Sequence, residues 1–344
     1  MKKTFAYLLV SCCLLASCIP SGTGNLPRAD KETMQSFQAL GDKVFIDAWS
    51  SPTDAVHSLM VVKDGEVIYE RYANGHKPED LHIMWSASKS FTAFAICLAA
   101  EDGLLDLNDK VYSYFPDIII PDDHKEWRED MTIQDLLTMS SGLKEEKLGE
   151  VIASSICPED YPGFDWAESA LTSSMVFAPG ERFYYNSMNT YLLSVIVSKV
   201  TGKTVAQYMN ERVFRHLCIK EWIWEESPQG YSAGGWGLYL RTEDLAKFGL
   251  LWLNNGIWEG RKIIGEEWIS EATKRHITYN ENPCDGYGYQ VWLSRHGSFR
   301  FHGAKGQIMM AIPEKNVILV ATSAHNDDQR IINSFFENFY NQLP

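Results

Sequence analysis

The sequence predicts an α+β protein: an antiparallel sheet assembled from both ends of the chain and flanked by helices, with a helical domain inserted between. Three observations carry this reading. Near the start, Leu59-Met60-Val61-Val62 and Val67-Ile68-Tyr69 flank Lys63-Asp64-Gly65-Glu66, and Asp-Gly between β-prone runs signals a tight hairpin. Near the end, Tyr287 to Leu293, Gln307 to Ile312 and Val317 to Thr322 repeat the strand character, with Pro313-Glu314-Lys315-Asn316 turning the last pair. In the middle, Thr132-Ile133-Gln134-Asp135, Thr204-Val205-Ala206-Gln207 and Thr242-Glu243-Asp244 read as capped helix starts. The sheet domain is therefore expected in residues 36–110 and 265–344, and the helical insertion in 111–264. Ligand sites favour the cleft between such parts.

The first residues set the compartment. Lys2-Lys3 precede an apolar stretch from Phe5 to Ala16 that ends in Leu15-Ala16-Ser17-Cys18, the pattern of a secretory signal over residues 1–17. The last four residues resemble a bacterial lipobox, which makes Cys18 the lipidated first residue of the mature chain and the anchor to a bacterial membrane. Residues 18–35 follow as a tether, and the protein is expected as an exported lipoprotein at the periplasmic face of a membrane. No later segment is long and apolar enough to span one.

The formal charge is −14, and removal of the leader takes two lysines with it. An acidic surface argues against nucleic acid as a partner. The seven cysteines show no metal-ligand spacing, and Cys97 lies inside an apolar run as a small core residue. The histidines lack anything like His-Glu-x-x-His, so no metal is expected.

Ser86-Ala87-Ser88-Lys89 opens the apolar stretch Phe91 to Ala100, which ends at Glu101-Asp102-Gly103. Residues three apart share a helical face, so the Lys89 amine can reach the Ser86 hydroxyl and take its proton. A nucleophile at a helix N-terminus also sits where unpaired N–H groups favour developing negative charge. The second Ser-x-x-Lys match, Ser141-Gly142-Leu143-Lys144, has a glycine that disfavours the aligning helix.

A Ser–Lys pair needs a third group to carry a proton to the leaving group, and a tyrosine phenol can do so. Pro179-Gly180-Glu181-Arg182-Phe183-Tyr184-Tyr185-Asn186-Ser187 supplies one. With Ser-x-x-Lys about a hundred residues upstream, this segment resembles the serine β-lactamase and penicillin-binding superfamily. The similar branch contains class C β-lactamases, esterases, D-aminopeptidases and nylon-oligomer (6-aminohexanoate dimer) hydrolases. Met131 to Leu143 and Gly234 to Leu245 are like blocks shared across that branch, so the resemblance covers most of the mature chain.

The resemblance implies a β-lactamase-like fold and roles for particular residues. Counting from Pro179-Gly180, the tyrosine falls on Tyr185, with Tyr184 a packed aromatic. Ser187 then stands where the family usually has an asparagine that contacts the substrate amide, which weakens the case for a β-lactam. The family's third element, a strand opening with Lys-Thr-Gly or a His-x-Gly variant, corresponds to Phe301-His302-Gly303-Ala304. His302 is expected to stand in for the pocket cation or donate a hydrogen bond. Gly303 and Ala304 let a substrate approach the strand edge, and a backbone N–H in residues 304–306 completes the oxyanion hole with that of Ser86.

The expected activity is hydrolysis of an amide or ester in a small molecule or short peptide, through an acyl group on Ser86 and without metal or organic cofactor. A receptor that acylates or binds without turnover is the alternative. Gly230-Tyr231-Ser232-Ala233-Gly234 also satisfies the Gly-x-Ser-x-Gly elbow, but it follows a loop where that motif needs a buried strand.

Overall fold

The computed structural model describes residues 24–48, 51, 53–280 and 285–343. Seven antiparallel strands form the main sheet: β1 (Val56–Lys63), β2 (Glu66–Tyr72), β3 (Gly286–Tyr287), β4 (Trp292–Leu293), β5 (Phe299–Gly303), β6 (Gln307–Ile312) and β7 (Val317–Ser323), in the order β2-β1-β7-β6-β5-β4-β3. The two chain ends meet at its centre, where Met60 pairs with Val320. The hairpin between β1 and β2 turns on Asp64 and Gly65, both at positive φ, as a two-residue type I′ turn requires.

Both faces of the sheet are covered, which explains why β1, β6 and β7 read as continuous apolar runs rather than alternating ones. Val61, Met310 and Leu319 share one core with α1 (Lys31–Asp47) and the C-terminal helix α5 (Gln329–Ser334). Met60, Met309 and Val320 belong to the other core, with α2 (Ser88–Glu101), α3 (Ser187–Thr201) and α4 (Thr242–Leu253). Every residue from Ser88 to Ala99 is buried, so α2 is the central helix between the sheet side and α3. Phe91 on α2 stacks on Phe248 of α4 at 3.9 Å. Gly103, at positive φ, sends its N–H to the Ala100 carbonyl just past the end of α2, the expected glycine stop.

Four details differ from the sequence reading. The tether does not extend to residue 35: Leu26 and Ala29 are buried, Ala29 donates to the Val67 carbonyl at 3.0 Å, and α1 begins at Lys31 with Asp30 as N-cap. Apolar burial together with the Arg28 ion pairs to Glu70 and Glu243 offsets the entropy of ordering this segment.

The stretch from Tyr287 to Leu293 is a hairpin of two short strands rather than one strand. Gln290 sits at positive φ, and a side chain at Gly288 would meet the Ala272 carbonyl at 2.1 Å. Thr132 and Thr204 do form capping boxes, but Thr242 is the first residue of α4 and spends its hydroxyl on Ser58 at 2.6 Å.

Helix α4, expected in the helical insertion, lies on the sheet. An added carbon at Gly249 would sit 2.6 Å from the Met309 sulfur, so this glycine sets the close approach. Residues 1–17 and Cys18 lie outside the described part of the chain.

Candidate active site

Ser86 occupies a single 3-10 turn, Trp85–Ala87, that feeds directly into α2. Trp85 precedes it at φ +44, a conformation that non-glycine residues rarely hold without surrounding support. Lys89 lies one turn on, 2 % exposed. Its Nζ is 3.0 Å from Ser86 Oγ, 2.7 Å from the Gly235 carbonyl and 3.4 Å from Ser187 Oγ. The helical spacing thus brings the amine to the hydroxyl, and two further acceptors fix the amine.

The polar residues of the first turns of α2 tie this helix to the glycine-rich segment and to the β3–β4 hairpin. Ser88 Oγ accepts the Leu238 N–H at 3.2 Å, Thr92 donates to the Gly234 carbonyl at 3.0 Å, and Ser90 donates to the Gln290 carbonyl at 2.7 Å. Each buried hydroxyl is satisfied, contributing on the order of 1 kcal/mol and, more usefully, fixing register. Gly235 is close-packed: a side chain there would meet the Ser187 carbonyl at 2.8 Å.

Tyr185 is brought to the lysine, whose Nζ is 5.0 Å from the ring centroid. Its ring stacks on Trp292 at 5.9 Å and 23°. Tyr184 instead packs edge-on to Phe177, and its N–H donates to the Met139 carbonyl at 2.7 Å. Asn186 caps α3 through Met188 N–H and donates to the Leu143 carbonyl. Beneath Tyr185, Tyr287 is fully buried with its hydroxyl unpartnered; burial, with the nearby Tyr185, pushes that phenol well above its ordinary range.

Across the cleft, Gly303 ends β5 against the Ser86 turn. A side chain there would come within 2.1 Å of the Met84 carbonyl and 3.1 Å of Ala87 N, so only glycine permits this contact. Ala304 follows at the exposed end of the strand, and its carbonyl accepts from Gln307, whose amide also binds the Ser323 carbonyl.

His302, expected to stand in for the pocket cation or to donate a hydrogen bond, is engaged by a carboxylate. Strand alternation turns it to the opposite face from Gly303, and its Nε2 meets Asp328 Oδ2 at 2.9 Å. Burial works to raise the Asp328 carboxyl, yet the His302 hydrogen bond and charge outweigh it and the net shift is downward.

Two contributors were missed by the sequence reading. The Gly235 carbonyl holds Lys89, and the Glu145 carboxylate accepts the Ser187 N–H at the start of α3. Lys144-Glu145-Glu146-Lys147 reads as a charged loop, and nothing in it points to α3. The competing serines are occupied elsewhere: Ser141 donates to Asn189 at 2.9 Å, and Ser232 is fully buried with Oγ accepting the Ala206 N–H at 3.2 Å.

A family model described as Beta-lactamase matches residues 54–333. The chain belongs to this family. As a Beta-lactamase family member it is 22 % identical over 303 residues to the 6-aminohexanoate-dimer hydrolase of Paenarthrobacter ureafaciens, covering 80 % of this chain and 73 % of that one. Among solved structures it is similar to a Bacillus anthracis protein assigned as a 6-aminohexanoate-dimer hydrolase, with a TM-score of 0.73, 24 % identity, and 83 % and 78 % of the two chains covered. A D-stereospecific amidohydrolase from Streptomyces shares the fold with a TM-score of 0.65 at 18 % identity, over 91 % of this chain and all of that one. The chain spans 82 % of an uncharacterized Alkalihalophilus pseudofirmus relative but about a third of the Staphylococcus aureus Protein flp it also matches.

Proposed function

We propose that this Beta-lactamase family member is an exported serine hydrolase that cleaves an amide or ester bond through an acyl group on Ser86. The observation that carries the reading is the buried Lys89 amine 3.0 Å from Ser86 Oγ, a distance over which a proton passes directly.

Ser86 Oγ attacks the substrate carbonyl as Lys89 takes its proton. The Gly235 carbonyl and Ser187 Oγ hold Nζ in place, so little reorganisation is needed. The oxyanion forms at the N-terminus of α2, facing the Ser86 N–H and one N–H from the turn at residues 304–306. Tyr185 carries a proton to the departing nitrogen or oxygen, and water then releases the acyl group. Ser187, in place of the family's asparagine, together with Gly303 and Ala304, lines the substrate's path.

The leader-like residues 1–17 and Cys18 support export and lipid anchoring to a bacterial membrane. The relatives' names support amides as the substrate class, with small molecules or short peptides as bearers.

The test is hydrolysis of a short-chain nitrophenyl ester by protein lacking residues 1–18, with Ser86→Ala in parallel. Turnover lost in the variant supports the reading. Equal turnover in both rejects it, and a burst that stops after one equivalent indicates a receptor that acylates without release.

A further inference from the structure

Asp328 stands at the N-cap position of α5, yet its side chain makes no capping hydrogen bond to that helix. A capping aspartate contributes about 1 kcal/mol, so this carboxylate forgoes that stabilisation for other contacts. Its Oδ2 meets His302 Nε2 at 2.9 Å, and the Gly306 N–H helps to hold it in the ionised form. Gly306 is at φ +82, and a side chain there would come within 3.2 Å of Asp328 Cβ, so the backbone approaches this closely because the residue is glycine. One carboxylate thus grips the chain just before and at the end of the turn that joins β5 to β6.

The turn's carbonyls are engaged as well. Ala304 accepts Gln307 Nε2 at 3.1 Å, and Lys305 accepts the His325 N–H at 3.1 Å together with the Ser323 hydroxyl. In a planar trans peptide the carbonyl and the N–H point to opposite sides, so a carbonyl drawn toward Gln307 turns the Lys305 N–H away from it. With the Gly306 N–H spent on Asp328, the N–H groups of Ala304 and Lys305 are the ones that meet no acceptor among the described residues. They directly follow Gly303, which lies against the Ser86 turn. Backbone donors held ready beside a nucleophile are what a developing oxyanion requires.

We propose that Asp328 is a positioning residue: through His302 and Gly306 it fixes the turn at residues 304–306 so that a free N–H, of Ala304 or Lys305, faces the oxyanion formed at Ser86. The role in catalysis rests on the hydrolase reading above, whereas the hold on the turn does not. The His302 and Asp328 side chains are 22 % and 23 % exposed, and an ion pair partly open to water contributes little to global stability. Loss of the pair is therefore expected in the rate before it is seen in the fold.

The test has two arms, applied to the wild type, Asp328→Ala and Asp328→Asn. In the first, kcat and KM for a nitrophenyl ester are measured beside the affinity for a boronic acid that forms a tetrahedral adduct on serine. In the second, amide hydrogen exchange is followed for the peptide that covers residues 303–307.

In Asp328→Ala, kcat is expected to fall by about tenfold or more with KM within about twofold, because a displaced oxyanion donor is felt in the transition state. Affinity for the boronic acid should fall in parallel with kcat, and exchange in the turn should quicken. Asp328→Asn keeps an oxygen acceptor and is expected to recover most of the rate and of the protection. Should Asp328→Ala fail to fold, His302→Ala removes one of the two grips and is expected to show the same pattern. Faster exchange with an unchanged kcat would keep the hold on the turn and overturn its role in catalysis. A raised KM at constant kcat would make Asp328 a substrate contact and overturn that role too. Unchanged exchange in Asp328→Ala overturns the hold itself. Absence of both turnover and boronic acid binding in the wild type counts against the hydrolase reading and leaves the exchange arm decisive for the turn.

Discussion

Lys89 Nζ lies closer to the backbone carbonyl of Gly235, at 2.7 Å, than to Ser86 Oγ, at 3.0 Å. The amine is held by the glycine-rich segment and presented to the serine. On the proposed reading, catalysis at Ser86 depends on a carbonyl that lies 146 residues beyond Lys89.

Replacing Lys89 by Met keeps the volume of the stem and removes the base. Loss of a positioned general base costs about 10²–10⁴ in rate, and kcat/KM for a nitrophenyl ester is expected to fall in that range. Near-ultraviolet circular dichroism should stay native, and wild-type rates in the variant would refute the assignment.

Gly235→Ala tests the support rather than the base. The added carbon meets the Ser187 carbonyl at 2.8 Å, so the segment must shift and carry the lysine's acceptor with it. A displacement of this size at a reacting pair is expected to cost up to about 10²-fold in kcat. The unfolding midpoint should fall much less steeply than the activity.

Tyr185→Phe and Tyr184→Phe separate the two registers of the motif. The first removes the hydroxyl of the ring whose centroid lies 5.0 Å from Lys89 Nζ and is expected to reduce kcat by about 10²-fold or more. The second alters an aromatic packed on Phe177 and should leave kcat within about twofold. Reversed effects would move the catalytic role to Tyr184.

Tyr287→Phe removes a buried hydroxyl that has no partner. An unsatisfied buried polar group costs about 1–3 kcal/mol, so denaturant unfolding should show a gain of about 1 kcal/mol. A loss of stability would mean that the hydroxyl is bound in solution.

Acid stability should depend on a histidine cluster beside the strand that leads to Ser86. His57, the bulged residue of β1, stacks on His76 at 3.9 Å and meets His82 at 2.8 Å, with Asp80 3.9 Å from His76. Burial first, then the His76 and His82 charges, lower the His57 pKa from 6.5 to about 4. The unfolded chain then binds a proton that the folded chain refuses. Stability from this ring is complete above about pH 6.5 and erodes as the pH falls toward 4. Unfolding midpoints measured from pH 7.5 to 4 should fall more steeply in the wild type than in His57→Gln; parallel curves would remove the cluster from the account.

Much of the site was legible because it follows periodicity. Ser86 and Lys89 are three apart on a helix whose apolar run marks its burial, and Asp64-Gly65 names its own turn. The β1 and β7 pairing follows from strand-like ends around a helical middle. What escaped the reading lies in contacts between distant segments. The Gly235 carbonyl and the Glu145 carboxylate carry no local pattern, because any loop can supply a carbonyl or a carboxylate. The carboxylate that engages His302 was missed for the same reason: Asp328 is set by where α5 begins against the sheet. The break at Gly288 to Gln290 was hidden in a β-prone run, because the Ala272 carbonyl that requires the glycine belongs to another element.

The central claim is an acyl group on Ser86, and intact-mass analysis of protein quenched during turnover of a nitrophenyl ester tests it most directly. The account predicts one added acyl mass, mapped by peptide digestion to the segment holding Ser86 and absent from Ser86→Ala. Turnover with no adduct on that segment, or an adduct on the segment holding Ser232, would contradict it.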